Sequence, residues 1–234
     1  METYRQFLDR INAFQKKELR FCGKFACNPS LALKVNDDNT FKAFYGDTVV
    51  FALDKATKRR LTEYVDLLYR AAPQCFCERL VEDTFHMTLH DLNSAPSLRD
   101  VESLFVGQKI KEKAEDMREC GDAVIKMKST YVFNMVNTSL VLGLRPIGEG
   151  DYIKLMKLYS AFDEVKKLNY PFTPHITLAY YGVGGFDEQA ARKLEEAVNR
   201  INDRIDLTIE LRAGDLYYQT FESMNDYRDE LKLF

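Results

Sequence analysis

Two of the three histidines in this chain stand in matching tetrapeptides, His86-Met87-Thr88-Leu89 and His175-Ile176-Thr177-Leu178. A histidine titrates near neutrality, so a pair of them can serve as proton donor and proton acceptor at once. A threonine hydroxyl is a short donor suited to a phosphate oxygen. Two imidazoles and two hydroxyls around one groove therefore suit in-line displacement at phosphorus. One histidine takes a proton from attacking water, and the other gives one to the departing oxygen.

That chemistry needs the four side chains on one surface. Both tetrapeptides read as strands, in which residues two apart share a face. His86, Thr88 and His90 then point one way, as do His175, Thr177, Ala179 and Tyr181. Met87, Leu89, Ile176 and Leu178 point to an apolar core. By this alternation His90 and Tyr181 join the polar face, Tyr181 as a phenol for a base or a phosphate. His90 reads either as a contact to base or phosphate at the cleft rim or as a satisfied polar residue at a strand end.

The surrounding pattern supplies the elements. Residues 3–19 have apolar residues at helical spacing, and 20–46 are irregular, with turn chemistry in "CNPS" and "NDDNT". "DTVVFALD" (47–54) reads as a strand, and Asp54 caps a helix striped by Leu61, Val65 and Leu68. A strand with the first motif follows, then a broadly helical stretch over 97–120. Strands over 123–135 and 138–146, a helix over 149–168, the second motif strand, a helix capped by Asp187 and closing strands complete the chain. Thr48 stands about as far before His86 as Thr138 does before His175. Each half thus reads strand, helix, strand bearing His-x-Thr, which is a weak internal repeat. Related by a pseudo-twofold axis, the two motif strands would meet in the middle of a sheet. The expected organisation is an N-terminal helix and irregular extension, 1–46, and a bilobal domain, 47–234.

Composition sets outer bounds. The 234 residues, 46% hydrophobic and 29% charged, describe an ordinary globular protein with a sizeable core. A net charge of -3 argues against gripping a long nucleic acid, whose partners are usually basic, and leans toward a small phosphate ester. Five cysteines and a charged start, "METYRQFLDR", lead us to expect free thiols in a reducing cytoplasm. No apolar run approaches the ~20 residues of a membrane span, and a monomer is the default.

The paired His-x-Thr-Leu motifs, with Pro174 before the second, resemble those of the two-histidine (2H) phosphoesterase superfamily over roughly residues 47–220. That superfamily includes the bacterial 2'-5' RNA ligase-like proteins and the 2',3'-cyclic nucleotide phosphodiesterases. The resemblance implies an α+β, bilobal two-histidine phosphoesterase-like fold, with antiparallel sheets lining a central cleft and helices outside. It implies catalysis by His86, Thr88, His175 and Thr177 without a metal or other cofactor. The substrate would be a nucleotide or short RNA end with a cyclic phosphate or a 2'-5' linkage. The 1–46 extension departs from the smallest members and would cover the cleft or extend a lobe.

Other readings stay open. A degenerate relative would bind RNA ends or nucleotides without cleaving, and the same histidines would serve a reversible 2'-5' RNA ligase. A zinc hydrolase would need His86, His90 and His175 on one ion. Residues four apart on a strand are about 13 Å apart, too far without strong bending. Arg145, after "LVLGL", could neutralise phosphate charge or be a solvated strand-end residue. Lys126 and Lys128 could line the groove or form the wet face of a strand, and "KATKRR" (55–60) reads as a solvated face.

Overall fold

The computed structural model describes residues 2–234. Helix α1 (Tyr4–Phe14) opens with a capping box, in which Thr3 and Gln6 satisfy each other's backbone N–H groups, and it buries Phe7 and Ile11. It stops earlier than the expected 3–19. An irregular stretch with a 3-10 turn at Pro29–Leu33 leads to strand β1 (Tyr45–Ala52). Helix α2 (Lys55–Ala71) starts where Asp54 accepts the Thr57 N–H at 2.8 Å, and its buried stripe is Leu61, Val65 and Leu68. Each such side chain contributes about 1.5–3 kcal/mol by leaving water.

Strand β2 (His86–Ala95) carries the first motif. The stretch read as one helix over 97–120 is two short ones, α3 (Leu98–Val101) and α4 (Gly107–Glu115), among 3-10 turns. The break comes where the chain crosses buried Asp47, which accepts the Val106 N–H at 3.1 Å. A Cβ at Gly107 would lie 2.8 Å from the Tyr218 ring, so the approach requires glycine. Strands β3 (Val124–Met135) and β4 (Ser139–Pro146) form a hairpin, followed by α5 (Glu149–Asp163) and β5 (His175–Tyr180), the second motif strand. Helix α6 (Glu188–Asn202), capped by Asp187, and strands β6 (Thr208–Arg212), β7 (Leu216–Ser223) and β8 (Asp226–Lys232) finish the chain.

The strands make two four-stranded antiparallel sheets, ordered β2-β1-β7-β8 and β5-β4-β3-β6. The two orders correspond strand for strand, as the repeat implies, but the lobes are not contiguous in sequence. The last two strands return to complete the first sheet. The motif strands also do not share a sheet. Each is the edge strand of its own, and the two edges, β2 and β5, lie side by side.

The N-terminal extension packs against the second sheet. Buried Gln15 accepts the Thr130 hydroxyl hydrogen bond at 2.5 Å, and a Cβ at Gly143 would run into both Thr130 Oγ1 and Gln15 Oε1. Phe25 pairs with Phe186 through a backbone bridge and stacked rings, 4.4 Å between centroids. Asn28 donates its backbone N–H to Asn137 O at the β3–β4 turn. In that turn Val136 and Asn137 both have positive φ, +43° and +60°, the geometry of a type I′ hairpin.

Candidate active site

The four motif side chains, His86, Thr88, His175 and Thr177, line one cavity of about 220 Å³ between the two sheets. Its other walls include Lys34, Asp91, Tyr180 and Tyr227. Both strands present their motif by the same irregularity. On β2, Val49 faces His90 while Val50 faces Thr88, which leaves Leu89 as an extra residue. On β5, Leu140 faces Ala179 while Val141 faces Thr177, which leaves Leu178 extra. Each motif leucine is therefore a β-bulge, which resets the alternation beyond it. The burial patterns show the reset as consecutive buried residues, Leu89-His90 and Leu178-Ala179.

This overturns two expectations made from strict alternation. His90 is turned into the core, 1% exposed, with Nδ1 2.7 Å from the Asp91 carbonyl and Nε2 3.3 Å from Asp163 Oδ1. It is the satisfied residue, and it shares no ion with His86 and His175. Tyr181 is fully buried, stacked on Phe76 and edge-on to Phe25. The bulges put Asp91 and Tyr180 into the cleft in their place.

Arg145 also lies outside the cavity. It sits on β4 opposite Lys128, two residues beyond Gly143, which pairs with His175, and it does not line the cavity. Gln15 of the extension fills the sheet face at Gly143. Lys128 is paired with Asp206, outside the cavity, and Lys58 of the basic run donates to the Asp83 carbonyl at 2.8 Å.

A backbone carbonyl two residues upstream acts on each histidine ring. His175 Nδ1 lies 2.7 Å from the Thr173 carbonyl, which can only accept. The Nδ1 nitrogen therefore carries a proton, and in the neutral ring Nε2 is left with its lone pair. The Thr84 carbonyl, also two residues upstream, acts on His86 in the same sense. Thr-x-His-x-Thr-Leu is thus the full repeated unit, and Thr84 and Thr173 stand in the sequence as a second shared position that the tetrapeptide reading passes over. The His86 ring stands edge-on to Tyr227, 5.0 Å between centroids.

Burial disfavours the charged imidazole and pushes His86 down to about 4, against the pull of the Thr84 carbonyl and Asp91. The nearby charges of His175 and Lys58 push in the same direction as burial. His175 is also lowered by burial, opposed by the Thr173 carbonyl and Asp91. The free site therefore favours neutral rings, and Asp91 is placed to assist a proton on either one.

A second, apolar chamber of about 540 Å³ shares Thr88, Asp91, Met135 and His175 with the cavity. Its far walls come from α1 (Arg10, Phe14), the hairpin tip (Val136) and the loop before β5 (Tyr170, Phe172). Tyr170 donates its hydroxyl to Asp91 Oδ2 at 2.7 Å. Lys34 and Phe14 show that the extension reaches both spaces, of which the irregular composition of residues 15–44 gives no sign.

Among the described residues no group of three or more His, Cys, Asp or Glu side chains is placed to hold a metal ion. All five cysteines are free thiols, and no helix among the described residues is long and apolar enough to cross a membrane.

No protein-family model matches the chain, and no curated protein sequence matches it. Solved structures do. The conserved protein of unknown function ATU0111 from Agrobacterium tumefaciens str. C58 superposes with a TM-score of 0.63 at 15% identity, over 98% of this chain and 99% of that one. TT0787 of Thermus thermophilus gives 0.49 at 12% identity, over 79% and 94%. E. coli LigT complexed with 3'-AMP gives 0.49 at 13%, over 80% and 96%. At 15% identity the likeness to the Agrobacterium protein is one of fold.

Proposed function

We propose that this chain is a metal-independent phosphodiesterase of the two-histidine type, acting on a 2',3'-cyclic phosphate or a 2'-5'-linked nucleotide or RNA end. The observation that carries the reading is the convergence of His86, Thr88, His175 and Thr177 on one cavity, each histidine with a carbonyl two residues upstream. A neutral histidine with its Nε2 lone pair in the cavity is a general base ready for water. The second histidine acts once protonated, delivering its proton to the departing ribose oxygen. The Thr88 and Thr177 hydroxyls donate to the non-bridging oxygens as charge builds on them. Run backward, the same path joins an RNA end, so ligation and hydrolysis differ only in which side is supplied.

The test is hydrolysis of the four nucleoside 2',3'-cyclic phosphates and of 2'-5'-linked dinucleotides in excess EDTA. The wild type, His86→Ala and His175→Ala are compared. Turnover that survives EDTA and falls by about 10²–10⁴-fold in each variant, the usual weight of a general acid or base, supports the reading. A wild type that binds these compounds without turning them over would instead mark a nucleotide-binding protein.

A further inference from the structure

Lys34 is the one lysine or arginine among the residues that line the catalytic cavity. It belongs to the N-terminal extension, outside both motif-bearing halves. Its position is built rather than incidental. The backbone turns at Lys34, whose N–H donates to Leu31 O and whose carbonyl accepts from Lys42 N–H at 2.8 Å. The adjacent Val35 is buried and bridges to Phe41. The ammonium lies 5.2 Å from the Phe44 ring centre and 5.7 Å from that of Tyr180, so two aromatic faces hold it. It takes part in none of the ion pairs among the described residues.

Tyr180 is three residues beyond Thr177 on β5, but with Leu178 bulged the register advances two steps, roughly 7 Å along the strand. Lys34 is thus set at the Tyr180 end of the cleft, beyond Thr177 on β5. The matching position on β2, beyond the other bulge, is Asp91, an acid. The cleft is therefore cationic at the Tyr180 end and anionic at the Asp91 end.

We propose that Lys34 forms a second anion subsite, for a negatively charged group of the substrate that stands about one ribose away from the reacting phosphorus. The substrate class is then a nucleotide with a further phosphate, such as a 5'-phosphate, in addition to the phosphodiester that is opened. The subsite rests on the phosphodiesterase reading for its purpose but not for its test, which reads binding alone.

The probes are adenosine 2'-monophosphate and adenosine 2',5'-bisphosphate, titrated calorimetrically at low ionic strength into the wild type, Lys34→Gln and Lys34→Arg. The wild type is expected to bind the bisphosphate at least tenfold more tightly than the monophosphate. Lys34→Gln should remove most of that preference while leaving monophosphate affinity within about twofold, and Lys34→Arg should keep it. Equal weakening of both compounds by Lys34→Gln would mean that Lys34 serves the reacting phosphoryl group, which overturns the second subsite. So would a wild type with no preference, or one that binds neither compound. Thermal melts of the variants check that the extension stays folded. Loss of turnover in the EDTA assay with the bisphosphate preference intact would sink the phosphodiesterase reading and leave the subsite standing.

Discussion

Burial that holds His86 at about 4 has a measurable consequence for how the site takes up an anion. At pH 7, three units above that value, only about one molecule in a thousand carries a proton on His86. His175 is lowered by the same cause. The acid–base catalysis proposed for the pair still requires one protonated ring. The charge of a bound anion favours the protonated imidazole, so binding should draw a proton from solution. For uptake of one proton, affinity falls tenfold per pH unit between the value in the free protein and the value in the complex. Inorganic sulfate is the right probe, because it does not itself titrate in this range. Between pH 5 and pH 7 its dissociation constant should weaken by up to about 100-fold. Calorimetry in two buffers of different ionisation enthalpy should count close to one proton taken up at pH 7. The double variant His86→Ala/His175→Ala should lose both effects. Sulfate affinity that is flat from pH 5 to pH 8, with no proton uptake by the wild type, would refute the argument.

Burial of the histidines also bears on stability. An unfolded histidine takes a proton near 6.5, whereas folded His86 resists until about 4. The unfolded state therefore binds more protons as pH falls through this window. Stability should be undiminished above about pH 6.5 and should drop by up to about 3 kcal/mol from His86 as pH approaches 4, a loss read by urea melts and reduced by sulfate. Asp91 raises both histidines, so Asp91→Asn should move both limbs of the kcat/KM profile to lower pH; an unchanged profile would remove Asp91 from the site's electrostatics. Arg145→Ala should leave kcat and KM within about twofold, because Arg145 lies outside the cavity; a loss of tenfold or more would return it to the site. Val136, a β-branched residue at φ +43°, is strained, and Val136→Asn should stabilise the fold by about 1 kcal/mol in a urea melt.

The paired motifs, the strands that carry them, the order of elements up to β7 outside 97–120 and the caps at Asp54 and Asp187 are legible in the sequence, because each is a local pattern of apolar spacing or a single capping side chain; β8 (Asp226–Lys232) lies beyond the closing strands that this pattern marks. Tyr181 and His90 are misplaced by alternation for one shared reason. A bulge is a property of the pair of strands, and alternation along one strand carries no record of it. The single helix expected over 97–120 fails similarly. Its break depends on the Asp47 carboxylate and the Tyr218 ring, which come from opposite ends of the chain. Lys34 is illegible because the extension has no periodicity to follow, and what places Lys34 is a contact with Tyr180 and Phe44.

The bulges also explain why the unit repeats as His-x-Thr-Leu and not merely as His-x-Thr. A regular strand that puts His86 and Thr88 in the cleft must put residue 90 there as well. With Leu89 bulged, the core receives two consecutive residues and the cleft receives residue 91. The chain uses that freedom differently on its two edges, with an acid beyond one bulge and, beyond the other, an aromatic ring that carries Lys34 on its face. Symmetry between the lobes places two equivalent imidazoles on the cleft. The residues after the bulges make their surroundings unequal, and in the proposed reaction, where the two histidines take opposite proton-transfer roles, that inequality orients the substrate.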